Sequence, residues 1–547
     1  MGKSKKILIA IILLALFPRL VVLTNSSLTF YSDDAIYASL ARFFFEGDLQ
    51  KAFHPTWQPL YPALSAFFYI FLGNWEDTLR LVSICAGVAI IIPLFFLVKR
   101  LLSTTHALFF VASITFFTPL IKLSLFPMSD MLATLFVISG ITLTASGLKA
   151  KSVKPFILSS FFFGLGFLTR SEGVMFFLLT IGWITLFFFF PVIRQKVQTA
   201  FICKDLNLQD QPMPKSVVKP YLLLSTMIAT FILTTSPYLI ATNLQLNTWT
   251  ITHKSSAQIK QGHAFQIRNG TTWSQEVVSV KSPNYQSEYF KGGFTYMLEH
   301  SSSFIWRFEE KLKIWLKVFD ANFPVWSLPF MTIGALSFIY KKDFWSIGYL
   351  LFIMVTAIPI TIFVTPLVDI RYLLWSFPLF LLFFYLGAQV ILSIVQRITS
   401  LRKQDSIAFF PFVISLFFSS FGLSSISNTA IYGQDFTRIH YKPEILAAGD
   451  WIKNHTEKNN PRIMIRHEGV EFYADAETIY LPQDLSLDET IEYARRNNVD
   501  YIIAWSDELA AEKNLDVLLQ YIMNPALKES YRTTQDSRTL VIYVLRD

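Results

Sequence analysis

The sequence predicts a polytopic α-helical membrane protein of about 11 transmembrane helices with an α/β domain at its C-terminal end. Three observations predict it. Of the 547 residues, 53% are hydrophobic and only 16% charged, with 54 Phe, so apolar runs of spanning length recur along most of the chain. Lys and Arg gather in alternate short connections between those runs. Beyond residue 425 the pattern changes to short β-type runs alternating with amphipathic helical ones.

Crossing hydrocarbon takes about 20 apolar residues per helix. On that measure helices fall at 6–24, 78–98, 105–121, 130–147, 155–169, 173–191, 220–242, 324–340, 344–365, 372–396 and 407–425. The first run begins with the basic MGKSKK and continues past Pro18 and Arg19 to Thr24 without a small-residue cleavage site. It therefore reads as a retained helix rather than a signal peptide. The loop 25–77 holds two segments, 34–47 and 59–72, suited to short helices at the membrane interface. The loop 243–323 starts polar and turns amphipathic, with Ile305, Phe308, Leu312, Trp315 and Phe319 at helical spacing and Arg307, Glu309, Glu310 and Lys311 between them. That pattern predicts a helix lying on the membrane.

In the tail, strands are expected at 462–466, 478–481, 500–505 and 539–545, and helices at 443–456, 487–497 and 507–523. It has no glycine-rich phosphate loop, nucleophile elbow or His/Cys cluster, and His467 with Glu468 reads as loop surface. The expected domains are 1–425, a membrane domain with outer loops 25–77 and 243–323, and 426–547, a soluble α/β domain. Cys85 falls in the second helix and Cys203 in a loop, which argues against a disulfide.

Orientation follows from Lys and Arg in short loops. Lys3, Lys5, Lys6, Lys99, Arg100, Lys149, Lys151, Lys154, Arg194, Lys196, Lys204, Lys215, Lys219, Lys341, Lys342, Arg397, Arg402 and Lys403 all fall on one side, which is then cytoplasmic. The opposite short connections hold Lys122, Arg170 and Arg371. The N-terminus is therefore expected inside and the C-terminal domain outside the plasma membrane, with the net charge of +8 explained by topology and no nucleic-acid partner required.

The few outer charges form the candidate site. Asp33 and Asp34 follow the first helix, Lys122 ends the third, Asp130 opens the fourth, Arg170 and Glu172 join the fifth and sixth, and Asp369, Arg371 and Tyr372 join the ninth and tenth. Singly, each reads as an interfacial anchor or cap. Together, cations beside carboxylates at the membrane edge suit a phosphorylated, membrane-borne substrate. The chemistry that fits is glycosyl transfer from a polyprenyl-phosphate sugar to a hydroxyl on a protein, lipid or glycan. Arg and Lys would hold the anionic leaving group, and one carboxylate would act as general base in a displacement that inverts the anomeric carbon. A transporter or flippase is the alternative; it would place ionisable groups near the bilayer midplane and show repeats or broken helices, and neither is visible. Asp33, Asp34 and Asp130 are the carboxylates able to take a divalent cation, but no ligand set has fixed spacing, so no cofactor is expected.

Five segments carry a resemblance. DDAIYASLARFFFEGD (Asp33 to Asp48), HPTWQPLYPAL (His54 to Leu64), PMSDMLATLF (Pro127 to Phe136), FLTRSEG (Phe167 to Gly173) and DIRYLLWSFPLFLL (Asp369 to Leu382) resemble, in order and topology, the GT-C membrane glycosyltransferases. The group most similar is that of prokaryotic relatives of the protein O-mannosyltransferases and of the lipid A aminoarabinose transferase. The likeness spans roughly 1–425, and IEYARRNNVDYIIAWS (Ile491 to Ser506) looks like the outer domains appended to such enzymes. It implies a metal-independent reaction with Asp33 as the catalytic carboxylate and Asp34 where Glu often stands. It implies phosphate contacts by Arg170 and Arg371, with Lys122 a further one. His54 lies in the proline-rich segment, where Gln58 replaces the first of two adjacent prolines, and is a candidate to line the site.

Overall fold

The computed structural model describes residues 3–148, 152–189, 220–247, 249, 251, 293–337, 344–365, 370–399, 413, 441–466, 468–481, 485–509, 515–520, 524–535 and 537–546. The first helix, α1 (Lys3–Asn25), is followed by α2 (Asp33–Glu46), α3 (Leu49–Ala52) and α4 (Leu60–Leu72). Asp33 and Asp34 occupy the first turn of α2, where carboxylates complement the positive end of the helix dipole. Then come α5 (Trp75–Ala89) and α6 (Ile91–Leu101), which together form one span of 27 residues. Asn74 starts it by accepting the Asp77 backbone N–H at 2.8 Å.

The third expected helix is not straight. It is built as α7 (Thr104–Ile114) and α8 (Thr118–Ser124), bent by 61°. Pro119 in the first turn of α8 has no N–H and its ring would clash with the carbonyl of residue 115 in a continuous helix. Next are α9 (Asp130–Gly147), α10 (Lys154–Thr169), α11 (Gly173–Phe189), α12 (Pro220–Leu246), α13 (Gly293–Glu299), α14 (Ser301–Asn322), α15 (Leu328–Leu336), α16 (Phe344–Val364) and α17 (Phe377–Thr399), the last entered through a 3-10 segment, Ile370–Ser376.

Among the described residues six helices are long and apolar enough to cross a membrane, seven with the bent pair. The segments 154–169, 173–186 and 325–336 are shorter apolar helices, as is 60–72, and 407–425 lies outside the described residues apart from Val413. The chain is a multi-pass membrane protein. Helices α15 and α17 meet backbone to backbone: a Cβ added at Gly334 would stand 1.8 Å from the Phe383 carbonyl oxygen, and one at Gly387 1.8 Å from that of Phe330. Small residues at such crossings are what close helix contact in lipid requires.

Helix α14 is amphipathic, but its inward face differs from the expected one. Ile305 and Leu312 are exposed, whereas Phe304, Arg307, Lys311 and Phe319 are buried. Arg307 Nη2 donates to the Thr365 carbonyl at 2.8 Å, and Lys311 Nζ to those of Ile362 (3.1 Å) and Thr365. The carbonyls at the C-terminal end of α16 lack helical partners and draw cations inward, a demand that hydrophobic spacing does not register.

The tail folds as an α/β domain. It contains α18 (Pro443–His455), β1 (Arg462–Ile465), α19 (Val470–Ala474), β2 (Glu477–Tyr480), α20 (Leu487–Arg496), β3 (Tyr501–Trp505), α21 (Ser506–Leu509), β4 (Leu527–Gln535) and β5 (Arg538–Leu545). The sheet order is β2-β1-β3-β5-β4, with β1 parallel to β2 and β3, and β5 antiparallel to β3 and β4. Met464, Ile502 and Ala504 pack on one face with Ile491 of α20, and Ile463, Ile465, Ile503 and Trp505 on the other with Ile445 and Ile452 of α18. Both faces of β3 are covered, so YIIAW reads as an unbroken apolar run. Two expectations are corrected. Strand β4 was not anticipated, because the edge sequence LKESYRTTQ is polar. The helix expected at 507–523 is instead α21 and a 3-10 turn, Asp516–Leu519, among the described residues.

Candidate active site

Four segments meet at one end of the helix bundle: the start of α2, the turn before α9, the turn between α10 and α11, and the 3-10 segment before α17. Helical spacing puts Asp33 and Tyr37 one turn apart on one face of α2. The Tyr37 hydroxyl is hydrogen-bonded to Ser129 Oγ at 2.6 Å, tying α2 to the head of α9. The next residue, Asp130, is buried, and its Oδ1 accepts from Arg170 Nη1 at 2.6 Å. Arg170 Nη2 bonds Glu172 Oε1 at 3.0 Å, and the guanidinium lies over the Tyr372 ring at 5.1 Å. Arg371 Nη1 stands 3.5 Å from Asp33 Oδ2 and 2.8 Å from the sulfur of Met128.

The turn that aims Arg170 depends on Gly173. A Cβ there would fall 2.2 Å from the Phe167 backbone nitrogen, so α10 and α11 can pinch this tightly only around a glycine.

The two members of the acidic pair have opposite surroundings. Asp33 retains 34% of its side-chain exposure and its ion-pair partner Arg371 25%, so both border open space. Asp34 is buried, and its Oδ1 accepts the backbone N–H groups of Tyr31 (2.7 Å) and Ala35 (2.9 Å). Burial pushes the Asp34 carboxyl up to about 8, against the pull of those two N–H donors and with a further push from the Asp33 charge. Desolvation outweighs the hydrogen bonds here.

The sequence-predicted residues Asp33, Asp34, Arg170, Glu172, Arg371 and Tyr372 therefore come together, with Asp130. Asp369 lies outside the described residues. Lys122 sits half-buried on α8. His54 builds a turn: its Nδ1 faces the Thr56 amide at 3.1 Å and the Thr56 hydroxyl at 2.9 Å, and its carbonyl accepts from the Tyr238 hydroxyl at 3.0 Å. Sequence reasoning missed Tyr37, Ser129 and Met128. Tyr37 was in reach, since i, i+4 spacing from Asp33 puts it on the same helix face. Among the described residues no three His, Cys, Asp or Glu side chains converge as a metal-ligand group. Chemically, the cluster offers a half-exposed carboxylate beside a half-exposed guanidinium, backed by an Arg170 already held by two carboxylates.

A family model described as dolichyl-phosphate-mannose-protein mannosyltransferase matches residues 54–203, which include His54, Lys122, Asp130, Arg170 and Glu172. Among solved structures, the archaeal oligosaccharyltransferase AglB from Archaeoglobus fulgidus, in complex with an inhibitory peptide and a dolichol-phosphate, aligns over 91% of this chain and 69% of its own, at 12% identity and TM-score 0.53. The Archaeoglobus fulgidus oligosaccharyltransferase tethered to an acceptor peptide aligns over 100% and 74%, at 11% identity and TM-score 0.52. ArnT from Cupriavidus metallidurans bound to undecaprenyl phosphate aligns over 99% and 98%, at 11% identity and TM-score 0.45. A comparison with curated proteins finds no match. The chain shares the fold of the Archaeoglobus fulgidus oligosaccharyltransferase.

Proposed function

We propose, from that shared fold as premise, that this protein is an inverting glycosyltransferase that moves a sugar from a polyprenyl-phosphate donor to an acceptor hydroxyl at the outer face of the membrane. The observation that carries this reading is the Asp33–Arg371 pair, an accessible carboxylate and cation 3.5 Å apart at one end of the helix bundle. The dolichol-phosphate bound to the archaeal neighbour and the dolichyl-phosphate-mannose description of the matching family support the donor class.

In this mechanism the acceptor oxygen attacks the anomeric carbon while the bond from that carbon to the phosphate oxygen breaks. The bonding pair goes to the leaving phosphate, and Asp33 takes the acceptor's proton. Arg371, itself only partly exposed, stabilises the charge growing on the leaving oxygen. Arg170 contributes from behind, with its charge already shared by Asp130 and Glu172 and its guanidinium lying over the Tyr372 ring. Lys122 and His54 would line the approach for the lipid phosphate and the acceptor. The transferred sugar is a single hexosyl or pentosyl unit, and the acceptor is a protein, lipid or glycan. The chemistry uses no cofactor in this reading.

The test begins with mass spectrometry of envelope lipids, glycans and proteins from cells with and without this chain, to name the product. Single-turnover transfer by purified protein in nanodiscs then compares wild type with Asp33→Asn. The variant keeps the side chain's size and removes its basicity, so transfer should fall by roughly 10²–10⁴-fold while donor binding survives. A folded Asp33→Asn protein with near-normal turnover refutes the assignment of the base.

A further inference from the structure

We infer that the C-terminal domain is a clamp that fixes the backbone of the acidic loop and so positions Asp33, with Tyr473 and Gly469 as its positioning residues. The inference rests on the reading of Asp33 as the base.

The observation is that the four residues immediately before Asp33 are each held by that domain. The Thr29 hydroxyl oxygen accepts the Lys442 backbone N–H at 3.1 Å. The Phe30 N–H donates to the Tyr473 hydroxyl oxygen at 2.9 Å, while the same hydroxyl donates to Glu76 Oε1 at 2.9 Å. Tyr473 thus pins the loop to the head of α5 as well. The Tyr31 ring meets Trp505 edge-on at 4.9 Å, and Lys442 Nζ lies over both rings. The Ser32 N–H donates to the Glu468 carbonyl oxygen at 2.8 Å. Further along α2, Arg42 reaches Asp475 and the Phe472 carbonyl. Glu468, expected on the loop surface, is buried, with its carboxylate held by the Tyr480 hydroxyl.

Two features say that this contact holds the loop in a shape it would not keep alone. Ser32 has φ 69° and ψ −129°, a backbone conformation costly for a residue with a side chain and kept only where the surroundings impose it. Opposite it, Gly469 has φ 150°, and a Cβ there would lie 2.8 Å from the Phe30 carbonyl oxygen. The domain approaches the loop backbone so closely that only glycine fits. Since Ser32 precedes Asp33, its dihedral angles set the direction of the helix start and therefore where the carboxylate points relative to Arg371.

The experiment uses the full chain in nanodiscs with two variants. Tyr473→Phe removes only the bridging hydroxyl, and Gly469→Ala pushes a methyl group at Phe30. Hydrogen exchange of the Phe30 and Ser32 amides is read alongside single-turnover transfer and donor affinity. In wild type both amides are protected; in either variant they exchange faster. Transfer falls roughly 10–100-fold, the scale of a small misplacement of a reacting group, while donor affinity stays within about twofold. Unchanged protection in both variants overturns the clamp. Lost protection with a wild-type transfer rate overturns the positioning of Asp33. The exchange measurement needs no turnover, so a chain without transferase activity would sink the proposed reaction and still decide the clamp.

Discussion

At the scale of the residue, Asp33 and Asp34 show how far a carboxylate's task is set by what surrounds it. Asp34 is raised to about 8 chiefly by burial, so the folded state holds a proton that an unfolded carboxyl releases near 4. Its contribution to stability is therefore complete below that range and is lost as pH rises through about 8. Asp34→Asn mimics the protonated form. The variant should retain most transfer and flatten the fall in melting temperature between acidic and alkaline buffer; parallel melting curves for wild type and variant would contradict the assignment. Arg170 and Arg371 divide in the same way. Arg170→Ala strands the buried Asp130 carboxylate, whose partner stands 2.6 Å away, and should destabilise the fold by about 3–5 kcal/mol. Arg371→Ala removes a looser pair near solvent, so it should leave melting nearly unchanged and weaken donor binding by about 1.5–3 kcal/mol. Equal melting temperatures for the two variants would show that the division is wrong. The charges themselves were legible in the sequence, because outer-loop cations are scarce. Their pairing was not, because Arg170 and Asp130 lie 40 residues apart and only the bundle decides which carboxylate meets which cation.

At the scale of the element, apolar length located most helices but not their internal breaks or their facing. Pro119 was visible, yet the run 105–121 is apolar on both sides of it, and the proline's missing N–H acts on geometry rather than on hydropathy. Helix α14 shows the converse: Arg307 and Lys311 turn inward because helix-end carbonyls await them, while Ile305 and Leu312 turn outward. Strand β4 escaped notice because an edge strand needs only one buried face. Helix crossings are equally silent in sequence until a glycine pair marks them. Gly387→Ala puts a methyl group where the Phe330 carbonyl oxygen lies 1.8 Å away, so α15 and α17 must separate, at a cost of at least about 1–3 kcal/mol. Gly182→Ala, with no atom within 4 Å of the added Cβ, is the control and should be neutral. Melting curves that do not distinguish the two would refute the close crossing.

At the scale of the whole molecule, two independent arguments bear on sidedness, and labelling tests whether they agree. The contacts of Thr29, Phe30 and Ser32 with the C-terminal domain put that domain on the side where α1 ends, whatever the absolute orientation. An odd number of crossings must therefore lie between residue 3 and residue 441. The distribution of Lys and Arg predicts the absolute direction, since basic loops tend to stay in the cytoplasm. The expected arrangement has the N-terminus and the 192–219 and 397–406 loops inside, and 25–77, 243–323 and 426–547 outside. Single cysteines introduced at Ser4, Gln50, Gln211 and Asn459, with Cys85 and Cys203 replaced, give the readout through an impermeant thiol reagent applied to intact cells. Gln50→Cys and Asn459→Cys should label from outside, and Ser4→Cys and Gln211→Cys only after the membrane is opened. Labelling of Gln211→Cys from outside would overturn the charge-based direction. Labelling of Gln50→Cys and Asn459→Cys from opposite sides would be more damaging, because no insertion topology could then bring Tyr473 to Phe30.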